Sequence, residues 1–567
     1  LRNIFCRKRK FAVTSQASGF RKRPQLLLML LLNKLQNFSK NEPLLARLAL
    51  LVGCVFTVLY FFFAHEGSYF NDDWAYSRYA HEVLTGDFAF EYMPFSHRFF
   101  AYLPVSILYA TIGVSPYITT VWPMLCTAGT LVLIFGLLRK NYPGAAMWAV
   151  ILLGFNFHTL FLSNYLYPDN VVMLLALAIL GMLLHYRQVQ NNPIRFGLAF
   201  AVLNFLGMLT KETIIYIAPV YLYVFVLDLI RKENLKFWLW SAVFGAILLA
   251  FYFAAYEIFT GHWLNRFLMT SEIVNEFKPG YLQNKTAYYF NRLTYEPILF
   301  FIGSGIIVPI IFAFSAPGVT LKNLVKLENT RSYWLLATIL ILLTFWFGST
   351  SYTHYKPMVL VPRMITVLMP PLCISAGFAL ANNFHKPRFQ LIVGVFFLAA
   401  AVISRSNLAV IYVPVGLFFL FVRFVPKFAL PVFGLLVIMF SLAIRPLHFM
   451  VKPTGTDYFV TQELMTERLN HKAGRYQVFT NYYLAQQYCS FYGYQPNPNY
   501  EYLNYDKTRQ VSASADTAYL LVNQAMIRNP ELMLRLQADS VYKLFPKREL
   551  LWQKGNVQLF MLPKIKE

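Results

Sequence analysis

The sequence has little charge. Asp, Glu, Lys and Arg make up 13% of its 567 residues, about half the share found in a soluble domain. Hydrophobic residues make up 57%. That balance excludes a disordered chain and argues against an ordinary soluble enzyme. Cysteine is also scarce. Of Cys6, Cys54, Cys126, Cys373 and Cys489, three lie in apolar runs and one in a basic N-terminal stretch. Only Cys489 sits in polar surroundings, without a partner. No CxxC, zinc spacing or disulfide framework is present. No internal repeat is found, although repeats are common in secondary transporters. Ionisable residues are nearly absent from the centres of the apolar runs, where transporters and proton pumps place them. Acid is the rarer charge: 26 Asp and Glu stand against 50 Lys and Arg, a net +24. The cations fall in short clusters between apolar runs. The positive-inside rule explains that pattern better than nucleic-acid binding does.

What the sequence has in abundance is apolar length. Aromatic residues reach 18%, as suits a chain in contact with lipid. Runs near 44–64, 118–138, 144–163, 170–186, 196–210, 213–230, 237–259, 298–316, 332–350, 363–381, 389–405, 408–424 and 428–445 approach the length of a membrane span, about 20 residues. The stretch 98–113 is shorter and carries Arg98, Pro104 and Gly113. It reads as a helix lying at the interface or entering partway. With the basic tail 1–43 in the cytosol, alternate loops place Arg139-Lys140, Arg187, Arg231-Lys232, Lys322, Lys386 and Arg423 on the cytosolic side. A cleaved signal peptide is the weaker reading of the tail, because no small-residue cleavage site follows its short apolar run. An odd number of spans puts the C-terminus outside. The expected organisation is a transmembrane domain over 44–445, with long outer loops at 65–117 and 260–297. A small α/β domain over 446–567 follows outside the membrane. Strand-like runs at Tyr476–Thr480 and Ala518–Val522 and a helix-like run near Pro530–Ala538 support that last assignment.

The unusual ionisable residues gather at the outer ends of the spans. They are Asp72, Asp73, His97, Arg98, Asp169, Lys211, Glu212 and Arg363. Residues distant in sequence therefore share one membrane depth, as a site at the lipid–water boundary requires. Each also has a structural reading. Asp72 and Asp73 open a helix-like stretch that ends at Gly86, so they serve as N-terminal acids, a general base or metal ligands. Tyr167-Pro168-Asp169 is a common helix start. Lys211 either snorkels to headgroups or binds phosphate as a point charge. Arg363 is either an interfacial anchor or a planar fork for phosphate. His158 reads as a packed, hydrogen-bonded residue.

At these residues the chain resembles the polytopic glycosyltransferases of the GT-C class. The likeness is to family 39, which includes the protein O-mannosyltransferases and the lipid A aminoarabinose transferases. The landmarks occur in order: Asp72-Asp73, Tyr76, Ala80 and Gly86-Asp87; Pro168-Asp169; Gly207-Met208-Leu209-Thr210-Lys211-Glu212; and Pro362-Arg363 with Pro370-Pro371. They cover residues 44–380. One departure is clear: His97-Arg98 and a lone Pro104 stand where the aminoarabinose transferases carry Glu-Lys before a double proline.

The resemblance implies a GT-C fold of about thirteen spans with an extracytoplasmic C-terminal domain. It also implies a polyprenyl-phosphate sugar as donor, and a lipid, glycan or protein hydroxyl as acceptor. Asp72 is the expected base, with Asp73 and Asp169 orienting it or the acceptor. Arg98, Lys211 and Arg363 are expected to stabilise the phosphate, supported by His97, Glu212 and Tyr76. Attack opposite the leaving group implies inversion. No cofactor is expected to be required; a divalent metal on Asp72, Asp73 and Asp169 is the alternative that more distant oligosaccharyltransferases suggest. A bacterial inner membrane with the site facing the periplasm is the expected setting. Competing readings are a flippase or transporter of lipid-linked sugars, a glycan polymerase or ligase, and a non-catalytic scaffold.

Overall fold

The computed structural model describes residues 41–68, 71–276, 285–316, 320–327, 329–351, 355–404, 407–425, 430–452, 455–529, 532 and 534–563. The expected cytosolic tail lies almost wholly outside them. The protein is a polytopic membrane protein with an α/β domain at its C-terminal end.

Among the described residues, ten helices are long and apolar enough to span a bilayer. They include Glu42–Phe63 (α1), Pro116–Leu138 (α4), Pro193–Thr210 (α6), Leu235–Thr260 (α7), Thr330–Phe347 (α9) and Leu430–Val451 (α12). Between these run Asn71–Thr85 (α2), Phe99–Ile112 (α3), Asp169–Val189 (α5), Asn265–Glu276 (α8), Met369–Asn383 (α10) and the short Ala409–Phe421 (α11).

Two expected spans are broken. The run read as 144–163 is Pro143–Gly154 and Phe157–Asn164, bent by 60°. Asn156 starts the second piece, its side chain accepting from the Thr159 amide at 3.1 Å. The run read as 298–316 is Glu296–Ser304 and Ile307–Phe314, bent by 111° at Gly305, whose φ is 84°. This second pair still carries the chain across the bundle. Its far end leads to Val325 and Lys326, whose carbonyls accept from Tyr223 and Arg231 at the end opposite the ion-paired cluster described below.

The centre of the bundle is the span Pro362–Asn383, 89% buried over its apolar window, whereas α7 is 11% buried and faces outward. Small residues permit the close packing. A Cβ on Gly377 would lie 2.5 Å from the Ala145 carbonyl oxygen. Gly394 and Gly416 face each other where α11 runs back along Pro387–Ser404.

α12 continues through Pro446 to Val451. Tyr458–Glu463 (α13) and Tyr482–Phe491 (α14) then pack with a five-stranded sheet in the order β2-β1-β3-β5-β4. The strands are Tyr476–Thr480 (β1), Tyr500–Asn504 (β2), Thr517–Asn523 (β3), Glu549–Lys554 (β4) and Val557–Leu562 (β5). β1 pairs in parallel with β2 and β3, and β5 runs antiparallel to β3 and β4. A helix occupies Ala538–Leu544 after the extended Gln537, and the run expected near Pro530–Ala538 falls partly outside the described residues. Pro530, Glu531 and Met533 lie outside the described residues.

Candidate active site

Three ion-paired groups meet at one end of the bundle. Asp72 lies in the first turn of α2, where the helix dipole favours a carboxylate. Arg363 Nη1 donates to Asp72 Oδ2 at 2.6 Å. The arginine opens a 3₁₀ segment, Pro362–Leu368, and its guanidinium lies 5.6 Å from the centre of the Tyr167 ring. Both side chains of the pair remain partly open to solvent. Asp73 accepts from Ser68 Oγ at 3.1 Å and from the Trp74 amide at 3.0 Å, and its charge, like that of Asp72, acts on Tyr167.

Asp169 opens α5 after Pro168, as a helix-start pattern dictates. Lys211 Nζ donates to its Oδ1 at 2.6 Å, and both side chains are buried. The other oxygen, Oδ2, has no hydrogen-bond partner. Lys211 sits in extended backbone between the end of α6 and the 3₁₀ segment Glu212–Ile217. That break lets neighbouring residues serve different groups.

Glu212 binds two arginines. Arg98 donates to Oε2 from Nε at 3.2 Å and Nη2 at 2.7 Å, and Arg266 Nη2 donates to Oε1 at 2.7 Å. Arg98 Nη1 also donates to the Tyr76 hydroxyl at 2.7 Å. Two cations on one carboxylate leave an excess positive charge. Arg266 is 3% exposed, and its Nη1 lacks a partner. The groups form one electrostatic cluster: Lys211 feels Arg98 and Arg363, and Arg363 feels Asp169 as well as Asp72.

His97 bonds the Tyr256 hydroxyl through Nδ1 at 2.8 Å. Burial, with Arg266 nearby, lowers its pKa to about 4. It is therefore neutral at neutral pH and adds no charge for a phosphate.

A cavity of about 1040 Å³ opens close to the Arg98–Glu212–Arg266 group, lined by Phe99 and Asn265, the chain neighbours of Arg98 and Arg266, and by Glu91. Phe90, Phe99, Phe205, Phe251, Tyr256 and Phe259 are among its lining residues. An aromatic groove close to a cationic group suits an amphiphile with an anionic head.

The three carboxylates considered for a metal do not converge. Asp72 and Asp169 are each held by a different cation, and Asp73 accepts from Ser68 and the Trp74 amide. Among the described residues, no group of three or more His, Cys, Asp or Glu side chains is placed to hold an ion.

No protein-family model and no curated protein sequence matches the chain. Solved structures do. ArnT from Cupriavidus metallidurans bound to undecaprenyl phosphate aligns with a TM-score of 0.54 at 13% identity, over 91% of this chain and 98% of that one. The apo form of the same protein gives 0.50 at 13% identity, over 89% and 96%. The chain has the GT-C fold. An Archaeoglobus fulgidus oligosaccharyltransferase tethered to an acceptor peptide aligns less well, with a TM-score of 0.47 at 11% identity, over 85% of this chain and 69% of that one.

Within this GT-C fold, the structure brings Asp72, Arg363, Asp169, Lys211, Arg98, Glu212 and Tyr76 into one cluster. His97 sits at its edge, and Asp73, bonded to Ser68 and the Trp74 amide, lies beside it near Tyr167. The sequence did not single out Arg266, Tyr256 or the ring of Tyr167. Arg266 follows an apolar run, where a lipid-facing cation is common, so no local signal separates it from an anchor.

Proposed function

We propose that the protein is a membrane glycosyltransferase. It moves a sugar from a polyprenyl-phosphate donor to an acceptor hydroxyl at the outer face of the membrane, with inversion. The observation that carries this reading is an aromatic cavity lined by Phe99 and Asn265, the chain neighbours of Arg98 and Arg266, close to the Arg98–Glu212–Arg266 group and the Asp72–Arg363 pair. The lipid chain lies in the aromatic groove, and its phosphate meets Arg98 and Arg266, whose shared carboxylate leaves charge to spare. ArnT, which has the same fold, binds undecaprenyl phosphate, and that lipid class suits the groove here. A bacterial inner membrane with the site facing the periplasm is the setting that fits.

A phosphate leaving group departs without a general acid. The chemistry then needs a base for the acceptor and cations for the developing charge. Asp72 accepts the hydroxyl proton, and Arg363 fixes its orientation. As the anomeric carbon–oxygen bond breaks, negative charge grows on the phosphate, where Arg98, Arg266 and Lys211 offset it in a medium of low dielectric. Asp169 holds Lys211 in place. Attack from the side opposite the phosphate inverts the anomeric centre.

The test is transfer from a labelled polyprenyl-phosphate hexose to acceptors in a cell-envelope extract by the purified protein. Asp72→Asn is expected to lower turnover by about 100-fold or more, the usual contribution of a positioned base. Excess chelator is expected to leave turnover unchanged. Full activity in Asp72→Asn would remove the assigned base. Lipid-linked sugar crossing liposomes without transfer would make the protein a flippase.

A further inference from the structure

We infer that the C-terminal domain sets the position of the Asp72-bearing helix, and that Tyr494 is the positioning residue. Helix α2 has two working faces at a spacing of four residues. Asp72 and Tyr76 lie on one and bind Arg363 and Arg98. Asp73, Ser77 and His81 lie on the other. Tyr494, just beyond α14, grips this second face twice. Its hydroxyl donates to Ser77 Oγ at 2.7 Å. Its ring stacks on His81 with centroids 4.6 Å apart and planes inclined by 23°.

The contact does not end at Ser77. Ser77 Oγ lies 2.8 Å from the Tyr109 hydroxyl, which lies 2.6 Å from Thr119 Oγ1, which donates to the Ser115 carbonyl at 2.8 Å. If every hydroxyl donates in the same direction, the four groups form one chain from the C-terminal domain through α2 and α3 to the first turn of α4. Such chains reinforce each bond within them. Tyr494 adopts a left-handed backbone, φ 65°, which a tyrosine rarely takes without compensating contacts.

The rest of the seam closes around the same face. Asp73, Ser77, Tyr458, Ser490 and Tyr494 line a space of about 20 Å³, enough for one water. The Tyr458 ring would lie 2.2 Å from a Cβ on Gly67, a residue with φ 79°. Glycine is thus required there on two counts: backbone conformation and close approach. Asp73 lines this seam as well. The domain acts on Asp72 by fixing how α2 is rotated and held.

The kinetic part of the test rests on the glycosyl-transfer reading; the structural part does not. Tyr494→Phe keeps the ring and removes the hydroxyl, and Ser77→Ala removes its partner. In the full-length protein, each is expected to lower kcat about tenfold, the size of one buried hydrogen bond, with the donor KM changed less than about twofold. The double variant is expected to be no worse than either single one. Amide hydrogen exchange over residues 72–85 is expected to quicken in Tyr494→Phe, while the β1 and β3 amides keep wild-type protection. Wild-type kcat, losses that multiply in the double variant, or unchanged exchange in α2 would each overturn the inference. If the wild-type protein transfers no sugar, the proposed function fails, and exchange in α2 alone decides the role of Tyr494.

Discussion

Lys211 and Asp169 show how far a single ion pair can be read. The sequence marks both, because a charge at the end of an apolar run stands out against its surroundings. Their pairing is not marked, since 42 residues separate them. Nor does the sequence reveal that Arg266 joins Arg98 on Glu212: a cation after an apolar helix looks the same whether it faces lipid headgroups or turns inward. Burial makes the Lys211–Asp169 pair testable. Removing one partner strands the other charge, which typically destabilises by about 3–5 kcal/mol. Replacing both leaves no charge to strand. Asp169→Asn and Lys211→Met are therefore each expected to lower the thermal midpoint in detergent, and the double variant to recover much of that loss. Transfer should fail in all three. If the double variant is less stable than both single variants, the pair is held by more than charge compensation.

At the scale of elements, apolar length marks the spans, and hydropathy records that length well. Hydropathy says nothing about direction, so the bends at Asn156 and Gly305 were hidden inside runs of adequate length. The 3₁₀ starts at Glu212 and Pro362 were hidden for the same reason, although they aim Glu212 and Arg363. Helix contacts were equally hard to read, because a glycine in a helix marks either close approach or nothing. The structure separates the cases. Gly377 packs its backbone against Ala145, with a Cβ position only 2.5 Å from a carbonyl oxygen, whereas Gly245 on α7 has open space around it. Gly377→Ala is expected to destabilise by about 1–3 kcal/mol through overpacking. Gly245→Ala is expected to be neutral or stabilising by up to about 1 kcal/mol, since alanine is the better helix former. Paired thermal melts in one detergent test this. Equal midpoints for the two variants would mean that the central span tolerates displacement from Pro143–Gly154.

For the whole molecule, the question is what holds the C-terminal domain to the bundle. The composition change after residue 445 and the strand-like runs made the domain visible; its contacts were not, because they involve isolated residues such as Glu66, Tyr458 and Tyr494 from unrelated segments. Glu66 lies in the seam, 6% exposed. The Tyr165 hydroxyl is 3.5 Å from its Oε2, and the Gly455 backbone and the Asp457 carboxylate are its other neighbours. Arg445 on α12 and Tyr60 on α1 share this region. Burial is the main cause that raises the Glu66 pKa from 4.5 to about 7, with Asp457 adding to it. A raised carboxyl pKa means that the closed seam prefers the protonated acid. The resulting stabilisation is complete below the open-state value of 4.5 and is lost as pH rises through about 7. Its size is on the order of 3 kcal/mol. The thermal midpoint of the wild-type protein is therefore expected to fall between pH 5 and pH 8. Glu66→Gln, which stays neutral throughout, is expected to flatten that slope and to exceed the wild type at pH 8. A slope that survives in Glu66→Gln would assign the pH dependence to another group and leave Glu66 ionised in the closed seam.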